Sequence, residues 1–366
     1  MRLKISREDL LPGLQAANNV VERRHALPIL SNVLLAVEGK QLQITGTDME
    51  VEVISLCEGS ETVDGAVAVP ARKLFDICRA LPNESSVDIS LEENRLKLRS
   101  GRSRFSLATL PAGEFPTIGD FPTRIEVDID TGVLKGVLEA TQFSMAHQDV
   151  RYYLNGLLLD LDGTNLKAVA TDGHRLAMSE VTVAEPFSES LQVIVPRKGV
   201  LEIGRMMAAG PEKAQLSVGD NHLKVVCGSQ TLVTKLVDGR FPDYDRVIPK
   251  NCDKLVLADR ELVKSGLNRA SILSNEKFRG IRIALASGVL KAMAHNPEQE
   301  EAQEEMEVDY EGDELEIGFN VSYLLDVLSA LNAEQVRLLF ADSNSSCLID
   351  EGEEANSRYV VMPMRL

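Results

Sequence analysis

The chain contains no tryptophan, and only 4% of its 366 residues are aromatic. Its cores must therefore be built from Leu, Val, Ile, Ala and Met. Cysteine is sparse as well. Cys57, Cys78, Cys227, Cys252 and Cys347 lie far apart, and no C-x-x-C occurs. An odd, scattered set argues against a disulfide framework and points to reduced thiols. No apolar run is long enough to span a bilayer. The opening MRLKISREDL lacks the hydrophobic stretch of a secretory signal, so a cytoplasmic location is expected. Also missing are H-E-x-x-H, G-x-S-x-G, G-x-G-x-x-G and G-x-x-x-x-G-K-[ST], which removes the commonest hydrolase and nucleotide-binding signatures.

What is present begins with size and charge. The length exceeds one core and suggests two or three domains. The composition, 44% hydrophobic and 26% charged, is that of a soluble globular protein. The net charge of −17 by itself argues against nucleic acid, because phosphate binding needs a basic surface. Much of that charge is local. Residues 296–316 hold eleven acids and no Lys or Arg. Other surfaces are free to be basic.

A threefold repeat runs through the chain. LKISREDLLPGL at Leu3, EVDIDTGVLKGVLEATQFSM at Glu126 and KLVLADRELVKSGLNRASIL at Lys254 each read as a short strand, a polar cap and an amphipathic helix. The expected buried faces are Leu10, Leu14, Ala17 and Val21, then Leu134, Leu138, Thr141 and Met145, then Leu262, Gly266, Ala270 and Leu273. A second helix follows in each third, at VPARKLFDI, VPRKGVLEI and FNVSYLLDVL. Pro70, Pro196 and Asn320 mark it at a period of about 125 residues. Each third ends on an alternating strand: SRFSLATLP, QTLVTKLVD and SRYVVMPMRL. Between helices lie short alternating strands separated by Gly, Asn or Asp turns. The fold expected is α+β, with three similar domains at 1–120, 126–245 and 253–366, each two helices packed on antiparallel sheets. EFPTIGDFPTR and RFPDYDRVIP read as extended linkers.

One stretch invites a chemical reading. VATDGHRLAM sets Asp172 two residues from His174, and HQD supplies His147 and Asp149. The four could hold a metal and make a hydrolase. Against that, Thr171-Asp172-Gly173 aligns with Thr47-Asp48-Met49 of the first repeat, which has no His, and a hairpin turn explains the shared Thr-Asp. HNPEQEEAQEE lacks the Gly and the spacing of a calcium loop.

The cations follow the repeat. Arg23 and Arg24 end the first helix. Arg72, Lys73 and Arg79 lie on the second, Lys135 on the third, Arg197, Lys198 and Arg205 on the fourth, Lys264 and Arg269 on the fifth. Such residues can be a solvated face. Repeated on corresponding helices, they suggest one shared basic surface. Helices spaced ~9.5 Å apart around a ring fix its size: six leave a bore of ~7 Å, twelve a bore of ~25 Å. A major groove alone is ~12 Å wide, so one chain is too small to surround a duplex and two are enough. A repeat scaffold that binds peptides but no DNA remains the third reading.

The landmarks LPILSN, VPARK, GRSRFSL, QFSMAHQDVRYYLNG, ATDGHRLA, VIVPRKG, KLVDGRFPDY, ILSNEKFRG, HNPEQEE, IGFNVSYLLDVL and YVVMPMRL resemble the bacterial sliding-clamp family, the beta subunit of DNA polymerase III, from Met1 to Leu366. The resemblance implies the DNA clamp fold, a ring-forming head-to-tail homodimer with helices lining a basic hole, and no enzymatic activity, cofactor, metal or membrane contact. It implies a processivity factor in the cytoplasm, associated with the nucleoid, that encircles duplex DNA without reading sequence. Its partners would be the DNA polymerase III alpha subunit, the clamp loader, and other replication and repair polymerases and proteins, through short linear peptides. Carried over by motif, the DNA-contacting residues are Arg24, Arg72, Gln148, Tyr152, Tyr153, Arg197 and Lys198. For the two tyrosines, stacking on bases or packing beneath a strand are both open. The implied peptide pocket comprises Leu154, Thr171, Gly173, His174, Arg175, Leu176, Pro242, Arg246, Val247, Phe278, Asn320, Tyr323, Ser346, Val360, Met362, Pro363, Met364 and Arg365. The implied dimer contact sets Phe105 and Leu107 against Ile272 and Leu273, and Arg102 and Arg104 against Glu298, Glu300, Glu301 or Glu304. Two positions depart from the family. Pro12-Gly13 would delay or kink the first helix, and Asn344 makes one pocket wall more polar.

Overall fold

The computed structural model describes residues 1–22 and 27–365. Arg23 and Arg24 therefore lie outside the described residues. Six α-helices are present among them: α1 (Arg7–Val20), α2 (Ala71–Ala80), α3 (Thr131–Thr141), α4 (Arg197–Ala209), α5 (Arg260–Ser271) and α6 (Val321–Ala330). They pair as α1 with α2, α3 with α4 and α5 with α6, one pair in each third of the chain. Local chemistry sets each start. Ser6, Asp130 and Asp259 cap α1, α3 and α5 by accepting the N–H of Asp9, Val133 and Leu262. The capping aspartates arise at the same point of the second and third repeats.

The helix faces follow the expected periodicity with shifts of one residue. Leu10, Leu14 and Ala17 are buried on α1, but the stripe ends on Val20; Val21 is the half-buried C-cap. Leu134, Leu138 and Thr141 are buried on α3, with Met145 buried just beyond it. On α5 the expected face is corrected. Leu262 is exposed, and Val263, Gly266, Leu267 and Ala270 form the stripe. The Asp259 cap fixes the helix phase and leaves Leu262 in the solvent-facing first turn. Helix α1 starts on time at Arg7 and continues through Pro12. Gly13 explains how it lies so close to the sheet: a Cβ there would sit 3.0 Å from Ile44 Cδ1 and 3.1 Å from Ser55 Cβ.

The strands form four antiparallel sheets, two of which cross the repeat boundaries. A nine-stranded sheet runs in the spatial order Leu110–Pro111, Gly65–Pro70, Asn32–Glu38, Gln41–Thr47, Val51–Glu58, Gln230–Lys235, His222–Cys227, Lys213–Gly219, Thr123–Asp130. The first five strands belong to the first third, the other four to the second. An eight-stranded sheet joins the second and third units: Leu191–Pro196, Gly156–Asp162, Asn165–Thr171, Arg175–Thr182, Ser357–Val361, Cys347–Asp350, Gln335–Phe340, Lys254–Asp259. The ends of the molecule carry the other two sheets. One runs Ser60–Val63, Arg2–Ser6, Ser86–Glu92, Arg95–Ser100, Ser103–Ala108; the other Glu301–Glu307, Val289–His295, Gly280–Ala286, Leu315–Asn320. Each unit thus wedges a helix pair against two sheets, and each has its own buried cluster.

Both junctions are built the same way. Val51 to Ser55 pair with Thr234 to Gln230 at the first, and Arg175 to Ser179 with Val361 to Ser357 at the second. Side chains reinforce the backbone ladder. Lys198 of α4 donates to Asp48 and to the Val20 carbonyl (2.6 Å), and Asn19 of α1 reaches Glu202 of α4 (3.4 Å). Arg175 reaches across the second junction to Asp326 of α6. Strand-sharing across repeats is a feature that repeat spacing alone does not reveal.

Candidate functional site

The TDGHR segment is a turn. Asp172 Oδ1 accepts the N–H of His174 (2.9 Å) and of Arg175 (3.0 Å). Thr171 Oγ1 accepts the Gly173 N–H and donates to the Arg175 carbonyl. The first repeat makes the same contacts with Thr47, Asp48, Met49, Glu50 and Val51. Gly173 has φ +87° and Met49 φ +73°, so the second repeat takes the unstrained residue for the left-handed position. Asp149 is committed elsewhere: Arg151 holds its carboxyl down to about 2, chiefly by side-chain hydrogen bonds (3.0 and 2.8 Å). His147 is exposed. Among the described residues no three His, Cys, Asp or Glu side chains converge as metal ligands.

After the turn the sequence builds a packed apolar junction between the second and third units, where the peptide pocket was expected. Leu176 lies directly opposite Val360, and both are buried in a cluster with Val169, Met178, Phe241 and Tyr244. The 236–253 connector supplies the last two; beside them, Pro242 and Arg246 are exposed and Val247 is half-buried. Arg246 pairs with Asp243 at 2.7 Å. The other wall is His174, stacked on Tyr323 with centroids 6.3 Å apart, and the C-terminal tail. Met362 N–H donates to the His174 carbonyl (2.9 Å), and Met364 N–H to the Gly318 carbonyl (2.8 Å). Asn320 is the N-cap of α6, accepting the Ser322 N–H. Ser346 and Pro363 are half-buried, and Leu154 is fully buried with its carbonyl on the Ala146 N–H. Asn344 is exposed in a turn made by Asp342.

Arg175 is the clip that holds this wall. Its guanidinium bonds Asp172 (3.1 Å), Asp326 (2.5 Å) and the Phe143 carbonyl (2.8 Å), and lies 4.6 Å from the Tyr323 ring centroid and 5.3 Å from that of Phe143. It is a positioning residue for Tyr323 and His174. Phe278, Met364 and Arg365 stand apart from the Leu176 floor and line a second depression on the third unit. Phe241, Tyr244, Met178 and Asp326 were missed by sequence reasoning. The repeated Phe-Pro of the two connectors was the available signal for Phe241 and Tyr244.

At the first junction the same floor position is filled. By the matched turn contacts, Glu52 occupies the place of Leu176. It is 1% exposed and accepts the Ile118 N–H of the first connector (3.0 Å). Burial pushes its carboxyl above the ordinary range, and the Ile118 bond opposes that. The folded chain therefore holds this proton more tightly than the unfolded chain. Stability is lost as pH rises from the unfolded value through the folded one. Glu52→Gln keeps an acceptor for Ile118 and is expected to raise stability near neutral pH by about 1 kcal/mol, with the gain vanishing in acid. Thermal melts across pH check this.

The nucleic-acid candidates occupy the helix layer and one loop. Arg72 is exposed and leans on Asp76 (3.6 Å), which Arg79 also contacts. Arg197 donates to the Met145 carbonyl (3.2 Å). Lys198 is tied into the first junction by Asp48 rather than free. Gln148 is exposed at φ +57°, on a loop pinned by reciprocal bonds between Asp149 and Asn155. Tyr152 is 57% exposed, while Tyr153 is half-buried against the Leu176 cluster. The tyrosines thus divide: one is available to a ligand, the other is packed.

The dimer candidates fall at the two free ends. Arg104, Phe105 and Leu107 lie on the edge strand Ser103–Ala108, next to Arg102 in its turn. Ile272, 75% exposed, caps α5 beside half-buried Leu273. Glu301 and Glu304 lie on the opposite edge strand, with Glu298 and Glu300 just before it. Glu304 is bound by Arg269 (3.0 and 2.8 Å), and Glu300 accepts from Asn296 (2.6 Å).

Three copies of one helix-pair-on-sheets unit, with cations on the helices and sheets shared across both junctions, define a repeat scaffold. The DNA polymerase III beta subunit models match throughout: the N-terminal domain at residues 1–119, the central domain at 128–243 and the C-terminal domain at 245–365. The chain belongs to the DNA polymerase III beta subunit family, the bacterial sliding clamps. It is 52% identical to the beta sliding clamp of Pseudomonas putida KT2440 and 50% identical to that of Escherichia coli K12, each over 100% of both chains. Its structure matches the griselimycin-bound sliding clamp of Pseudomonas aeruginosa (52% identity, TM-score 0.95) and that of Bartonella birtlesii (34%, 0.95), again over the full length of both.

Proposed function

We propose that this chain acts as a sliding clamp: two copies close a ring around duplex DNA and tether the replicative polymerase as a processivity factor. The observation that carries the ring is the pattern of shared edges. At both internal junctions, the third strand of one half-unit pairs with the third strand of another: Val51–Glu58 with Gln230–Lys235, and Arg175–Thr182 with Ser357–Val361. Among the described residues only two strands of this kind stay unpaired on one side, Glu301–Glu307 and Ser103–Ala108, and they end opposite sheets. Repeating the same operation joins Glu301–Glu307 of one copy to Ser103–Ala108 of the next, head to tail. Arg102 and Arg104 then face Glu298 and Glu301, the acids not already bonded within the chain, and Phe105, Leu107, Ile272 and Leu273 form the apolar centre.

In that ring, units spanning 1–120, 126–245 and 253–366 place Arg72, Arg197, Gln148 and Tyr152 toward the duplex, with Arg24 outside the described residues. Lys198 supports them by fixing the first junction. Weak phosphate contacts centre the duplex without reading bases, and the acidic remainder repels DNA from the outside. The groove over Leu176 and Val360 takes short apolar peptides from the polymerase alpha subunit, the clamp loader and repair proteins. Among the described residues no helix is long and apolar enough to cross a membrane; the working place proposed is the nucleoid in the cytoplasm. Protein loaded on closed circular DNA should remain bound through gel filtration and be released when the circle is linearised. Equal retention on linear DNA with free ends would defeat the proposal.

A further inference from the structure

The two internal junctions share a plan but are filled differently. By the matched turns, Val51 stands where Arg175 does, and Val53 where Ala177 does. Val53 pairs with Leu232 and Ala177 with Tyr359, so Leu232 takes the place of Tyr359. Counted from the helix caps Ser6 and Asp130, Asn19 takes the place of Phe143. Counted from Pro196 and Asn320, Glu202 takes that of Asp326.

At the second junction the rings of Phe143 and Tyr359 stack with centroids 5.9 Å apart, and the Arg175 guanidinium meets Asp326. At the first, smaller side chains replace both rings, and a valine replaces the arginine. A cleft of about 440 Å³ results between α1 and α4, with an apolar lining that includes Ala16, Val53, Met206 and Leu232. That volume suits one small organic molecule. Gln15 and Arg205 mark its exposed rim.

The cleft also holds a buried acid. Glu202 is 6% exposed. Exposed Arg205 bonds one of its carboxyl oxygens, and Asn19 reaches the other at 3.4 Å, which is long for a hydrogen bond. Lys198, one turn earlier, is committed to Asp48 and to the Val20 carbonyl. Burial pushes the Glu202 carboxyl above the ordinary range, against the opposing pull of Arg205, Asn19 and Lys198. Its charge is therefore incompletely compensated.

We infer that this cleft is a binding site for a small arylalkyl amine. The ring lies among Ala16, Val53, Met206 and Leu232, where the second junction carries its own rings. The ammonium donates to Glu202 as Arg175 donates to Asp326. An anion is disfavoured, because it would meet the buried carboxylate. The ligand touches α1 and α4 together and so bridges the first and second units.

Phenethylamine, phenethyl alcohol and hydrocinnamate share one ring and tether and differ in the head group, so they are the probes. In calorimetric titration of the full chain, the amine should bind saturably and at least about tenfold tighter than the alcohol, with the carboxylate weakest. Glu202→Gln should bring the amine down to the alcohol's affinity and leave the alcohol unchanged. Ala16→Phe grows a half-buried side chain into the cleft and should abolish binding of both. Equal affinity of amine and alcohol overturns the site, as does amine binding that survives either variant. Tighter binding of the carboxylate also overturns it, and would give the cleft to anions through Arg205. The comparison of probes on the unaltered chain decides the matter should either variant fail to fold.

Discussion

Arg175→Ala should destabilise the chain by about 3 kcal/mol and abolish tight peptide binding together. The side chain is mostly buried and satisfied on every side: two carboxylates, one backbone carbonyl and two aromatic faces. Its removal takes the side-chain donor from Asp172 Oδ2, although the backbone bonds to Oδ1 remain, and leaves the Phe143 carbonyl without its bond. It also frees Tyr323, against which His174 stacks. Coulombic loss at exposed Asp326 is the smaller part, because water replaces it. Arg175→Lys should rescue little, since one ammonium cannot fork to three acceptors or stack on two rings. Denaturant melts and peptide titration on the same samples measure both effects. A loss under about 1 kcal/mol would mean that strand pairing alone holds the second junction.

The second large effect is expected at the seam. Ile272→Asp should weaken dimerisation at least about 100-fold, roughly 2.7 kcal/mol. The reason is exposure. Leu107 is already buried within one chain and Phe105 half-buried, so they gain little on association. Ile272 is 75% exposed in the isolated chain and gains the most. A carboxylate there would also stand near Glu298 and Glu301. The monomer itself should melt at nearly the same temperature, because the side chain touches little within it, and it should still bind peptides. Retention on circular DNA should disappear. Sedimentation velocity reads the first outcome; an unchanged mass would place the seam elsewhere.

Much of the architecture was legible because polar signals recur with the apolar pattern. Asp130 and Asp259 mark helix starts at matching points, and the Thr-Asp turn repeats down to its individual hydrogen bonds. What periodicity could not supply was phase at the ends and pairing over distance. Leu262 fits an apolar stripe on paper, but the Asp259 cap rotates it to solvent. Pro12 reads as a helix breaker, yet the chain accepts a lost bond where Gly13 lets α1 settle on Ile44. Sheet-sharing was hidden, because antiparallel edges advertise nothing about the strand they meet. The apolar cluster at the second junction was readable only through resemblance. Its floor joins Leu176 to Val360, 184 positions later in the chain, and its connector residues Phe241 and Tyr244 look like ordinary linker aromatics.

The buried carboxylate of Glu52 has a consequence for traffic. Because it fills the first junction with the chain's own connector, the ring proposed above would offer clients one berth per copy rather than two. In that proposed ring, head-to-tail closure about a twofold axis would put both berths on the same rim. Such an assembly would have a front and a back, with enzymes queuing on only one side of it, and no more than two of them at a time.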